Sequence, residues 1–287
     1  MTRLQPSLLL DDVVFPEGPR WHDGSLWFSD MHGHEVVRVD LAGRRETIAR
    51  VPAQPSGLGF LPDGRLLIAS MKDRLVLRLD PSGLAVHADL GAYAKGEIND
   101  MVVDRQGRAY VGQFGSDTYG GEAMRATSLM LVDPEGRHRA VADDLLMPNG
   151  ATITPDGATL IVAETYRHRL TAFDIEPEGG LSNRRVWAEL GDRRPDGICQ
   201  DAEGRVWVAV PMYPGGGFAR VAEGGEILEH LDLEPEGMRG IACVLGGPER
   251  RHLFLLEAAR TSPSKIKGRD NGRVRVVEVD VPGAGIP

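Results

Sequence analysis

One phrase recurs along this chain and limits its fold more than any other feature. It is a Gly or small residue, a short apolar run, a D-G or similar turn and a second apolar run. It first reads Glu17-Gly18-Pro19-Arg20-Trp21, then Asp23-Gly24, then Leu26-Trp27-Phe28. It returns at Ser56-Gly57 with Asp63-Gly64, at Asn99-Asp100 with Gln106-Gly107, at Asn149-Gly150 with Asp156-Gly157, and at Asp196-Gly197 with Glu203-Gly204. A degenerate sixth copy opens at Arg239-Gly240-Ile241 and runs to His252-Leu253-Phe254-Leu255. The turn glycines 24, 64, 107, 157 and 204 are separated by 40, 43, 50 and 47 residues. That period is near the length of a four-stranded propeller blade.

Each phrase is followed by a third strand pattern, such as 35–40 or 170–174, and most by a weaker fourth, such as 46–49. The spacing predicts an all-β fold: a six-bladed β-propeller of four antiparallel strands per blade, one domain over residues 1–287. An open β-sandwich pair is the competing architecture. A propeller leaves two open edges unless its ends meet. The strand-like segments 8–14 and 274–279 are therefore both placed in blade six, with the N-terminal strand outermost.

Composition agrees with many short strands. Glycine supplies 36 of 287 residues, about one in eight against roughly 7% in average usage, without a collagen period or low-complexity tract. Lys+Arg 33 against Asp+Glu 42 gives a formal charge of −9, and no basic stripe favours nucleic acid. No apolar run approaches a membrane span, and the apolar part of the first ten residues is short for a signal peptide. A cytoplasmic protein is expected, with no membrane partner, as a monomer or weak homo-oligomer. Cys199 and Cys243 are read as buried free thiols, with mutual pairing as the alternative.

The repeat places one residue per blade at an equivalent position before the inner strand: Glu17, Ser56, Asn99, Asn149, Asp196 and Arg239. Inner strands line the channel, so these six converge on one mouth. Converging oxygen donors suit a hard cation such as Ca²⁺, Mg²⁺ or Mn²⁺. Asn, Asp and Ser also cap turns before strands, and Arg239 is an alternative partner for the Glu17 carboxylate. Loops 31–34, 114–124, 164–166 and 211–218 are candidates to surround the mouth. They include His32 and His34, which could assist proton transfer, and Tyr119, Tyr166 and Tyr213, which could pack on a ligand. No GKS/T follows Gly215-Gly216-Gly217, and Gly115-Ser116-Asp117 lacks the G-x-S-x-G elbow, so neither a phosphate loop nor a serine hydrolase is expected.

Taken together, FPEGPRWHDGSLWFSD, INDMVVDRQGRAYVG, MPNGATITPDGATLIVAET, LSNRRVW and RPDGICQDAEGRVWVA resemble the senescence marker protein/regucalcin–gluconolactonase family, which also includes luciferin-regenerating proteins. The resemblance implies that Glu17, Asn149 and Asp196 hold one divalent cation: Ca²⁺ in first place, with Zn²⁺, Mg²⁺ or Mn²⁺ as alternatives. It implies that Asn99 contacts the substrate or the metal-bound water and that Asp196 is the catalytic acid/base. Glu97 stands where animal members have Arg and Asp117 where they have Glu, and both are carried over as substrate-binding positions. The expected function is hydrolysis of a small-molecule lactone, of sugar type or another γ/δ-lactone. Organophosphate triester hydrolysis and a non-enzymatic metal- or ligand-binding propeller are the alternatives.

Overall fold

Short apolar runs broken by Gly turns every few residues can satisfy their backbone only by pairing with their neighbours in sequence. In the computed structural model they do so in six four-stranded antiparallel sheets. The structure describes residues 4–117, 120–211, 216–233, 237–266 and 268–284. Blade one holds Pro16–His22, Ser25–Asp30, Glu35–Val39 and Arg45–Arg50. Blade two holds Pro55–Phe60, Leu66–Ser70, Leu75–Asp80 and Gly83–Asp89. Blade three holds Ile98–Val103, Ala109–Gln113, Thr127–Val132 and His138–Leu145. Blade four is built from Pro148–Ile153, Thr159–Glu164, Arg169–Ile175 and Leu181–Glu189. Blade five is built from Ile198–Gln200, Val206–Val210, Gly217–Val221 and Ile227–Asp232.

Blade six closes the ring as the sequence predicts. Its inner strands are Arg239–Gly246, His252–Ala258 and Gly272–Glu278, and its outermost strand is Ser7–Val13 from the other end of the chain. Leu8 pairs with Arg275, Leu10 with Val274 and Val13 with Gly272.

The core lies between blades. Ile161, Leu170 and Trp187 of blade four pack against Val206, Val208 and Val221 of blade five, and similar apolar layers separate the other blades. On blades two to five the turn after the inner strand is tied by an aspartate or a threonine. Asp104 Oδ1 accepts from the amides of Gln106 and Arg108, both at 2.9 Å, while its Oδ2 takes Arg108 Nε at 2.6 Å. Asp201 binds the amides of Glu203 and Arg205 at 2.9 Å in the same way. These ties fix the hairpins that carry the inner strands of those blades.

The inner strands of all blades but the fifth share one irregularity. Their pairing register slips between Glu17 and Arg20, Pro55 and Leu58, Ile98 and Met101, Pro148 and Ala151, and Gly240 and Ala242. Such bulges re-aim side chains and cluster beside active sites. In blades one to four the slip begins at or spans the residue that the repeat places at the channel mouth, and in blade six it comes just after that residue.

Candidate active site

Glycine follows every mouth residue except Asn99, because the inner strands crowd together there. A Cβ on Gly150 would lie 2.6 Å from the Asp196 carbonyl oxygen and from the Ile198 amide nitrogen. One on Gly18 would lie 2.6 Å from the Ser56 carbonyl oxygen, and Gly18 also has φ +56°. Only hydrogen fits at such separations, so the preceding side chains are held close around one axis.

Glu17, Ser56, Asn99 and Asn149 are all buried, and Asp196 keeps part of its surface open to the channel. Asn99 Nδ2 donates to Asn149 Oδ1 at 3.0 Å, and Asn149 hydrogen-bonds the Asp196 carboxylate. Burial pushes the Asp196 carboxyl up to about 8, and the neighbouring Asp100 carboxylate adds to the rise. Burial likewise lifts Glu17 well above the usual carboxylate range, with Asp196 and Asp100 contributing. Three carboxyl groups thus share a small, poorly hydrated space and repel one another.

Two members of this cluster are not legible in the repeat. Asp100 follows Asn99, so regular strand alternation would send it to the other face; the bulge between Ile98 and Met101 removes that alternation. Arg20 pairs with Asp100 at 3.4 Å and donates to the carbonyls of Pro19, at 2.6 Å, and Met101. Arg20, not Arg239, is the cation beside Glu17. The alternative that paired Arg239 with Glu17 is corrected: Arg239 Nη1 donates to the Pro211 carbonyl at 2.8 Å.

Blades one to three form one side of the mouth. His32 bonds Gln54 Nε2 through Nδ1 at 2.7 Å and packs edge-on against Phe15 with ring centres 5.3 Å apart. Burial, aided by the charges of His34 and Lys72, lowers its pKa to about 4, so the imidazole is neutral at pH 7. Glu97 is raised by burial, with Lys72 opposing and Asp117 adding to the rise. The cation at this edge of the mouth therefore comes from blade two. His34 and Asp117 are exposed.

Glu164, placed among the mouth loops, is fully buried and committed to Arg169, Thr171 and the Leu146 amide. Tyr166 lies under the Arg194 guanidinium, 4.8 Å from its ring centre. Tyr119, Tyr213 and Gly215 lie outside the described residues. Cys199 and Cys243 are buried free thiols with their sulfurs 3.8 Å apart.

The donor chemistry bears on the metal. The six residues that the repeat brings to the mouth include no His and no Cys, so they offer no zinc-type nitrogen and sulfur shell. Glu17, Asp196 and the Asn149 carboxamide offer oxygen only, and the repelling carboxylates lack enough protein cations to balance them. That set fits a hard divalent cation completed by water.

The sequence profile described as SMP-30/Gluconolactonase/LRE-like region matches residues 15–259. The chain belongs to this family. Over 292 aligned residues it is 26% identical to a 6-deoxy-6-sulfogluconolactonase of Pseudomonas putida, covering 96% of this chain and 94% of that protein. It is also 26% identical to a pentonolactonase of Haloferax volcanii, covering 84% of this chain and 81% of the relative. The fold is shared with a calcium-binding regucalcin from Agrobacterium tumefaciens, with TM-score 0.81 and 23% identity over 99% of this chain and 97% of that one. Among the described residues no helix is long and apolar enough to cross a membrane.

Proposed function

We propose that this family member hydrolyses a small-molecule lactone with the aid of one divalent cation held by Glu17, Asn149 and Asp196. The convergence of these three side chains at one channel mouth carries the reading, and the lactonase activities named for its relatives support the substrate class. The oxygen-only donor set favours Ca²⁺, Mg²⁺ or Mn²⁺ over Zn²⁺, and the calcium binding named for the Agrobacterium protein puts Ca²⁺ first.

A bound divalent cation polarises an ester carbonyl and lowers the pKa of water. The chain supplies the proton traffic. Asp196, once ionised, takes a proton from the attacking water as the new C–O bond forms. It returns that proton to the ring oxygen as the ring C–O bond breaks, so the products are one hydroxyl and one carboxylic acid, which releases its remaining proton to water. Asn149 donates to Asp196 and holds it in register. Asn99 has one Nδ2 hydrogen left for a substrate oxygen, since the other goes to Asn149. Glu97 and Asp117 accept from substrate hydroxyls at the rim, where Lys72 supplies the complementary charge.

A panel of γ- and δ-lactones and an aryl phosphotriester, assayed on chelator-stripped protein with each ion added back, tests this reading. Stripping should abolish lactone turnover, Ca²⁺ should restore it, and Glu17→Gln should lower it by about 10²-fold or more. Turnover that survives both stripping and Glu17→Gln sinks the mechanism. Turnover of the phosphotriester alone reassigns the substrate class. Full cation binding without turnover of any ester favours a binding module.

A further inference from the structure

The carboxamides of Asn99 and Asn149 lie in a single file of hydrogen bonds whose direction can be fixed from one end. The Pro195 carbonyl can only accept. The Thr165 hydroxyl that reaches it at 2.8 Å therefore spends its one hydrogen there. Thr165 Oγ1 is then the acceptor for Asn149 Nδ2 at 3.3 Å. This turns the Asn149 amide so that Nδ2 serves Thr165 and Asp196 while Oδ1 accepts from Asn99 Nδ2. Asn99 Oδ1, oriented by the same logic, accepts from the Ser56 hydroxyl at 3.1 Å.

The file crosses from blade two to the segment that opens blade five, and every side chain in it is nearly inaccessible. Ser56 is 0%, Thr165 2%, Asn99 3% and Asn149 6% exposed, so bulk water does not compete for these bonds. Asn oxygen and nitrogen occupy the same shape, so packing alone cannot tell the two amide orientations apart. The hydroxyls can.

We propose that Thr165 and Ser56 are positioning residues that set which face of each carboxamide is presented at the mouth. With the file intact, one lone pair of Asn149 Oδ1 and one N–H of Asn99 stay uncommitted. The first suits a cation and the second an anionic or carbonyl oxygen. Loss of the Thr165 hydroxyl leaves only the bonds to Asp196 and Asn99 to keep Asn149 Nδ2 from turning toward the cation, which repels it. The inference rests on the proposed cation site, but not on the identity of the lactone.

Calorimetric titration of Ca²⁺ into chelator-stripped wild type, Thr165→Val, Thr165→Ser and Ser56→Ala tests it, with the melting of each cation-free protein recorded alongside. Thr165→Val should weaken Ca²⁺ about tenfold or more, Thr165→Ser should stay within about twofold of wild type, and Ser56→Ala should weaken it about threefold. Ser56→Ala should also raise KM for a turned-over lactone more than it lowers kcat. Equal Ca²⁺ affinity in Thr165→Val and wild type overturns the positioning role and leaves the cation site standing. Absence of Ca²⁺ binding by wild type overturns both. Should Thr165→Val fail to fold, Ser56→Ala decides: unchanged Ca²⁺ affinity and unchanged KM overturn the file.

Discussion

At the residue scale, Asp196 has to be two things. The cation and the proton traffic need it ionised, whereas its surroundings hold a proton on it to about pH 8. Because its folded pKa lies above the usual carboxylate value, the unfolded chain gives up this proton first as pH rises. The cation-free fold therefore loses stability from about pH 4 upward until the group ionises in place near pH 8. Asp196→Asn should remove that loss. Its cation-free melting temperature should exceed that of wild type by a few degrees at about pH 8, while lactone turnover disappears. Melting curves recorded from pH 5 to 9 with chelator check this, and a variant that melts below wild type at pH 8 contradicts it. Repeat position lined up Glu17, Asn149 and Asp196 with three other mouth residues, and the family resemblance singled these three out. Asp100 and Thr165 were not legible: Asp100 is uncovered by a bulge, and Thr165 lies 16 residues from the amide that it orients.

At the scale of elements, the bulged start of the inner strand and the glycine within it form one device in blades one, two, four and six. A Cβ at Gly150 meets only backbone within 2.7 Å, from Asp196 to Ile198, so nothing flexible can yield. Gly150→Ala should cost about 1–3 kcal/mol and, by spreading blades four and five, weaken the cation site as well. The turn glycine Gly157 makes the control. Its added Cβ would meet nothing within 4 Å, and only its φ of +76° resists substitution. Gly157→Ala should lower the melting temperature while cation affinity stays unchanged, a contrast that paired melting and titration can read. The strands themselves were easy to foresee, since apolar runs and Gly turns dictate them locally. Their bulges were not, because a register slip depends on the neighbouring blade and leaves no mark in the local pattern.

At the scale of the molecule, ring closure rests on Ser7–Val13 lying along Gly272–Glu278. Both end segments could be recognised as strands in the sequence, and the need to hide a sheet edge placed them together. Removing residues 1–13 leaves blade six with three strands and uncovers the apolar face that packs on Val13, which is 0% exposed. The truncated chain should melt about 10 °C or more below wild type and associate through its bare edge. Calorimetry and size-exclusion chromatography check this, and an unchanged monomer would show that the clasp is dispensable. The clasp also sets a timetable. Residues 7–13 leave the ribosome long before residues 272–278 exist, so the earliest strand must wait unpaired for one of the latest. Such long-range pairing is slow to form. Glu17 in blade one and Asp196 in blade five meet across the gap that blade six fills, so ligand binding should begin only after the circle shuts.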